Sequence, residues 1–319
     1  MKKFFAIIAL ILIFNHCSKP VKIEIPDNPI IVVKSYITAN DTLRVRVSRS
    51  FSSIATDIYL DYQSEYEHGP LDTNKIYLRK AEVKLYKENQ FIENLTYTKN
   101  GYFIAQHFPK EESEYELKIS CEGYESVSAK ARIPKAATIE NIQLSFVSSQ
   151  DYSALYKGKL QFHFSEGKNI LIFSALDSVT FVEEDNEFQY RYDQLNIGDR
   201  LEEGYPTSNN TMDGGFYLEI DSETGQSKSK DFLLMHYKKD NVNVDTIHFI
   251  GILKNVTDDY LKLKLSVQKY YDNGGSGFGN PFSSPIQIYS NIEGGLGIFT
   301  GISVDTLRLQ FIFDNSKEN

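Results

Sequence analysis

A chain of 319 residues with a formal net charge of −9 has no basic footprint with which to neutralise phosphates, and nucleic-acid binding is set aside on that ground. Hydrophobic residues make up 41% and charged residues 24%, with 9 Pro and 19 Gly, a balance that excludes disorder for the bulk and leaves room for about two domains. The 21 Tyr, 21 Phe and absence of Trp favour strands over helices, because flat rings pack well on a pleated, half-buried surface.

Met1, Lys2 and Lys3 precede an apolar run, Phe4 to Phe14, and together they read as a secretory signal over residues 1–16. The run is too short to cross a bilayer, which takes about 20 apolar residues. Cys17, in Phe14-Asn15-His16-Cys17-Ser18-Lys19-Pro20, stands where a bacterial lipoprotein signal places its lipidated cysteine, although His16 replaces the usual small residue and Phe14 the usual Leu. Loss of residues 1–16 removes two lysines and no acids, and the mature charge becomes −11. So acidic a body has no electrostatic reason to lie on an anionic bilayer, and attachment rests on the lipid. The proline-rich stretch to Pro29 makes residues 17–29 a tether. Cys17 and Cys121 are the two cysteines. Cys121 ends a strand-like run and reads as a small buried hydrophobe, the alternative being a Cys17–Cys121 disulfide on an unlipidated chain.

Residues 30–135 carry the pattern of an immunoglobulin-like β-sandwich. Ile30 to Thr38 is a β-branched run, and Leu43, Val45 and Val47 alternate with Arg44, Arg46 and Ser48. Ser52 to Asn74 is acidic and tyrosine-rich, a long connection that could hold a cation or a sugar but reads more simply as a solvated loop. Ala81, Val83 and Leu85 alternate again, Lys87 to Gln90 turns the chain, and Asn100-Gly101 is a hairpin signal. Short strands over Tyr102 to Ile104, Tyr115 to Ile119 and Gly123 to Val127 follow, and Pro134 closes the unit.

A second, larger β-rich domain with a short helix is expected over residues 136–319. Ile139 to Val147, Leu160 to Phe164, Ile170 to Ala175, Phe232 to Tyr237 and Thr246 to Leu253 are strand-like, whereas Leu201 to Gly215 and Asp221 to Lys230 read as loops. Leu261 to Val267 alternates strictly, which favours a strand. Against it, Thr257, Asp258 and Asp259 suit a helix start, and Tyr260, Leu263, Val267 and Tyr270 would share one helical face.

The six histidines, His16, His68, His107, His163, His236 and His248, form no paired-ligand spacing, and His163, between Phe162 and Phe164, reads as the outward residue of an amphipathic strand. The clusters Gly274-Gly275-Ser276-Gly277 and Gly294-Gly295-Leu296-Gly297 match no phosphate-binding loop, and read instead as positions of close backbone approach that lock strands together. No Gly-x-Ser-x-Gly elbow or zincin motif occurs. The expectation is a non-enzymatic protein with no catalytic residues, metal or cofactor.

The segment Asn280-Pro281-Phe282-Ser283-Ser284-Pro285, followed by Tyr289-Ser290-Asn291-Ile292-Glu293-Gly294-Gly295-Leu296-Gly297-Ile298-Phe299, resembles a family of Bacteroidetes outer-membrane lipoproteins catalogued as domain of unknown function 4249. Ile31-Val32-Val33, Ala81-Glu82-Val83 and Ile133-Pro134 are also similar to that family, so the resemblance spans nearly all of the mature chain. It implies an envelope lipoprotein, often encoded beside TonB-dependent outer-membrane receptors, with no established activity, and a helix over Thr257 to Tyr271. Four triplets, centred on Thr42, Ser178, Thr246 and Thr306, resemble the O-glycosylation sequon of Bacteroidetes envelope proteins. The expected role is therefore a lipid-anchored outer-membrane protein, on its periplasmic or surface face, acting as a binding or accessory module for a TonB-dependent transporter. The alternative is a structural or adhesive envelope protein with no small-molecule ligand.

Overall fold

A computed structural model describes residues 29–50, 73–150, 153–182, 188–198, 200–202, 205–207, 211–237, 244–272 and 287–314. The expected signal, Cys17, nearly all of the expected tether and of the acidic connection, and the segment Asn280–Pro285 lie outside them.

The first strands follow the alternation of the sequence. Strand β1 (Ile31–Thr38) buries Ile31, Val33, Ser35 and Ile37, and β2 (Arg44–Arg49) buries Val45 and Val47, because a period of two sends alternate side chains to one face. A helical turn, α1 (Thr73–Ile76), leads to β3 (Glu82–Lys87) and β4 (Gln90–Asn94), joined through Glu88 and Asn89 at φ 48° and 63°. Strands β5 (Thr96–Tyr97) and β6 (Tyr102–Ile104) meet at Asn100-Gly101, both left-handed as a tight hairpin requires. Strands β7 (Glu114–Ser120) and β8 (Val127–Arg132) follow. The expected strand from Gly123 to Val127 is a turn up to Ser126, with Gly123 at φ 83° and the Tyr124 N–H donating to the Cys121 carbonyl. A sheet of order β4-β3-β7-β8 faces β1, β2, β6 and β5, and Val33, Val45, Val83, Leu85, Phe103 and Tyr115 fill the space between as one core. Two sheets sharing a core make a sandwich.

The second part opens with β9 (Thr138–Gln150), β10 (Ser153–Phe164) and β11 (Gly167–Val182), then β12 (Phe188–Gln194), β13 (Asn196–Gly198), β14 (Arg200–Glu202), β15 (Tyr205–Thr207) and β16 (Thr211–Met212). It closes with β17 (Gly215–Ser222), β18 (Gln226–Tyr237), β19 (Val244–Val256), the helix α2 (Asp258–Asp272) and β20 (Leu296–Asp314). A four-stranded sheet, β13-β18-β10-β9, packs Phe162, Phe164 and Phe232 against Phe173, Phe216 and Phe249 of the largest sheet. The fold is mainly β with short helices, as expected.

Two stretches that read as loops are partly strand. Leu201 to Gly215 contains β14, β15, β16 and the start of β17. Asp221 to Lys230 contains the start of β18, where Gln226 to Lys230 pair in register with Phe164 back to Leu160. Gln226 to Ser229 are all exposed, so the ladder there is carried by backbone hydrogen bonds that make no demand for apolar side chains.

The largest sheet has ten strands and runs β16-β17-β11-β19-β20-β1-β2-β6-β5, with β12 beside β11. It crosses the 135/136 boundary because β20 changes partner along its length: residues 296–302 pair parallel with β1 and residues 302–314 antiparallel with β19. Accordingly β20 supplies Phe299 to the first core and Leu307, Leu309 and Phe311 to the edge of the second. The connection after β8 is pinned at the same junction, where the Lys135 carbonyl accepts from Asn255 Nδ2 (2.9 Å) and Ser303 Oγ (3.2 Å). Gly297 sits at φ 112°, and a Cβ there would lie 1.9 Å from the Val33 carbonyl oxygen, so the second glycine cluster permits the close approach that its sequence suggested.

Gly297→Ala therefore has to distort the β1–β20 pairing, and urea unfolding should show a loss exceeding the roughly 1–3 kcal/mol of a strained backbone alone. Gly123→Ala is the control, since Gly123 also has positive φ (83°) but open space around it. Equal losses in the two variants would show that the contact with Val33 carries no cost.

Candidate functional site

Helix α2 lies on the face of the ten-stranded sheet opposite the second sandwich core. Thr257 caps it, its Oγ1 accepting from the Tyr260 N–H (3.4 Å), and Asp258 and Asp259 complement the dipole of the first turn. Tyr260 and Leu261 are buried, with Leu265 beside them, against Ile170 and Ile172 of β11, Val256, Met212 and Tyr36. Of the expected face Tyr260 is buried and Leu263, Val267 and Tyr270 are half-buried, while Leu261, off that face, is buried as well.

The β16–β17 hairpin turns on Asp213-Gly214, at φ 51° and 72°. This turn presents the Asp213 carboxylate to α2 and β19. Oδ2 accepts from Lys254 Nζ (3.0 Å) and from the Tyr260 hydroxyl, and Oδ1 from Lys264 Nζ (2.5 Å). The Tyr36 ring meets Tyr260 edge-on at 5.7 Å, and Lys264 stands 5.3 Å from the Tyr260 ring centroid. Burial alone would push the Asp213 carboxyl up, but the hydrogen bonds from Lys264 and Tyr260 and the charge of Lys254 outweigh it and hold it below the usual carboxylate range. Burial, and then the bond to Asp213, push the Tyr260 phenol well above its ordinary value, so it remains a donor. A cleft of about 300 Å³ opens beside this cluster, lined by Met212, Asp213, Gly214, Lys264, Val267 and Gln268.

A second cleft, of about 640 Å³, lies between α2 and the segment before β20, with Lys262, Ser266, Lys269, Gln287 and Tyr289 among its walls. Its far wall is fixed to the helix: the Tyr289 N–H donates to Ser266 Oγ (2.9 Å), and the Tyr289 hydroxyl and Asn291 Nδ2 donate to Asp259 at 2.5 and 3.0 Å. Burial and the Asp259 bond push the Tyr289 phenol up to about 12. Asn291 also pairs with the Phe299 backbone in both directions, donating to its carbonyl (2.7 Å) and accepting from its N–H (2.9 Å).

The residues singled out in the sequence do not converge. Cys17, His16 and His68 lie outside the described residues. Thr42 is half-buried between β1 and β2, Ser178 pairs with Tyr192 on β11, Thr246 pairs with Ile312 on β19, and Thr306 is exposed on β20 opposite Ile252. Cys121 is half-buried against the first core, with burial pushing its thiol up. His163 points outward, as its flanking phenylalanines predict, and His107 Nε2 lies 3.2 Å from the buried Tyr115 hydroxyl. His236 forms a buried pair with Asp177 (3.1 Å), whose other oxygen accepts from the His248 N–H (3.0 Å). Among the described residues no three His, Cys, Asp or Glu side chains are grouped to hold a metal ion. The Asp213 cluster was missed. Asp213-Gly214 is a hairpin signal, but nothing local brings residue 213 to residues 254 and 264.

The model of a family described as Domain of unknown function (DUF4249) matches residues 18–308. No curated protein matches the chain.

The Asp213 carboxyl is depressed in the folded protein, so its contribution is present above the ordinary carboxylate pKa of about 4 and is lost as pH falls through the lower folded value. Asp213→Asn should cost about 1–3 kcal/mol near neutral pH in urea unfolding, with the deficit shrinking as the solution is acidified through that range. A deficit that stays constant with pH would mean the carboxylate's charge is not what holds the turn to α2.

Proposed function

We propose that this chain, which belongs to the DUF4249 family, is a lipid-anchored protein of the bacterial outer membrane that serves as a binding or accessory module for a TonB-dependent transporter. The observation that carries the reading is Cys17, set directly behind Lys2, Lys3 and the apolar run Phe4 to Phe14. Residues 17–29, if extended, reach about 40 Å, enough to hold a folded head clear of lipid headgroups. β-Sandwiches suit the role because their end loops and sheet edges are open to partners while the cores stay fixed. The two clefts along α2 add concave surface with the helix as one wall. The role assigned needs no catalytic residue. In the same reading a glycan is carried at one or more of Thr42, Ser178, Thr246 and Thr306, of which Thr306 has an exposed side chain.

Labelled palmitate should enter the polypeptide in the native host, and Cys17→Ala should abolish the label and release the protein from membranes. An unlabelled wild-type chain, or a variant that stays membrane-bound, would remove the anchor from the picture. Purification from native membranes then tests the partner: a stoichiometric β-barrel receptor supports the accessory role, whereas recovery with envelope matrix alone favours a structural or adhesive protein. Intact mass of the native protein equal to that of the lipidated polypeptide would exclude the glycan.

A further inference from the structure

At the β16–β17 turn two ammonium groups share one carboxylate. Lys254 and Lys264 both donate to Asp213, and Tyr260, which also donates to it, is an uncharged phenol. Within this group of four side chains two positive charges face one negative charge, in a chain whose net charge is −9. The side chains are partly shielded, with relative exposures of 23% for Lys254, 33% for Lys264 and 12% for Asp213. The nearby acids of α2 are engaged elsewhere: Asp258 with Lys168 (2.6 Å), and Asp259 with Tyr289 and Asn291.

The cleft of about 300 Å³ opens on this cluster. Lys264 and Gln268, one helical turn apart, place an ammonium and a carboxamide on the same wall. An ammonium has three N–H donors, and the carboxamide two, so the wall can offer bonds beyond those made to Asp213. Val267 and Met212 supply the apolar part of the lining.

We propose that this cleft binds a small oxyanion, the phosphate or carboxylate group of a ligand, with Lys264 as its charge contact, Gln268 as a hydrogen-bond donor, and Lys254 as a second cation behind Asp213. Asp213 orients both ammonium groups and at the same time competes with the ligand for them. The site does not depend on lipidation, so it stands or falls separately from the anchoring role.

The test is a melting experiment on the full-length chain in detergent, titrated with inorganic phosphate, with acetate, or with chloride at matched ionic strength. Phosphate, acetate or both should raise the melting temperature saturably while chloride does not, because a ligand that binds only the folded state stabilises it. A response to one of the two identifies the group, and a response to both identifies the anionic oxygens that they share and chloride lacks. Lys264→Gln should weaken the fitted affinity about tenfold or more, as loss of a charge-assisted bond does. Gln268→Ala, outside the ion pairs, should weaken it severalfold, and Asp213→Asn should tighten it. If Asp213→Asn does not fold, Lys264→Gln and Gln268→Ala decide the matter. Oxyanion responses no larger than that of chloride, or a Lys264→Gln response equal to wild type, would overturn the proposal.

Discussion

The parallel pairing of β1 with the first third of β20 is the constraint on which the rest of the structure depends. It joins residues 32–38 to residues 296–302, nearly the two ends of the described chain, and places β1 inside the largest sheet instead of at its edge. The remaining length of β20 pairs with β19, so one continuous strand belongs to both sandwiches. Such sharing needs bare backbone where strands come closest. A Cβ at Gly301 would lie 2.1 Å from the Arg132 carbonyl oxygen, much as one at Gly297 would meet Val33. The buried Asn255 and Ser303 satisfy the Lys135 carbonyl where the chain passes from one core to the next, and Asn255 also accepts from the Ile170 N–H (3.2 Å). Polar groups this deep persist because they are bonded.

The position of α2 follows from that junction. The helix rests on Tyr36 of β1, Ile302 of β20 and Ile170 and Ile172 of β11, so it spans the seam that the shared strand creates. A direct hydrogen bond between Thr257 and Thr300 (2.5 Å) fixes its first turn to β20. Both clefts, and the charge cluster around Asp213, sit along this one helix. The β16–β17 turn reaches it from the far edge of the sheet, and Asn291 reaches it from the segment ahead of β20.

Where burial alternates with the sequence, the fold was legible: β1, β2, β3 and β7 follow from their apolar positions, and Asn100-Gly101 from its left-handed pair. Where the backbone alone makes the strand it was not, as at Gln226 to Lys230, whose polar side chains resemble a loop. Leu261 to Val267 alternates strictly and yet is helical, because capping by Thr257 and burial of the adjacent Tyr260 and Leu261 outweigh a period-two count over seven residues. The candidate site was least legible of all. Lys264 and Gln268 can be placed on one helical face from spacing, but their meeting with Asp213 and Lys254 is a product of strand order, which no local pattern encodes.

Because Phe299 completes a core otherwise built from residues 31–133 and Ile292, the amino-terminal sandwich lacks part of its packing until residue 299 has been made. Closing a loop of that span carries a large entropic cost and places the protein among slow-folding, high-contact-order topologies. A chain truncated before residue 296 would emerge with β1 unpaired on one side and its apolar residues open to misassociation. The order of synthesis therefore delays closure of the first core until the second part of the chain has been made.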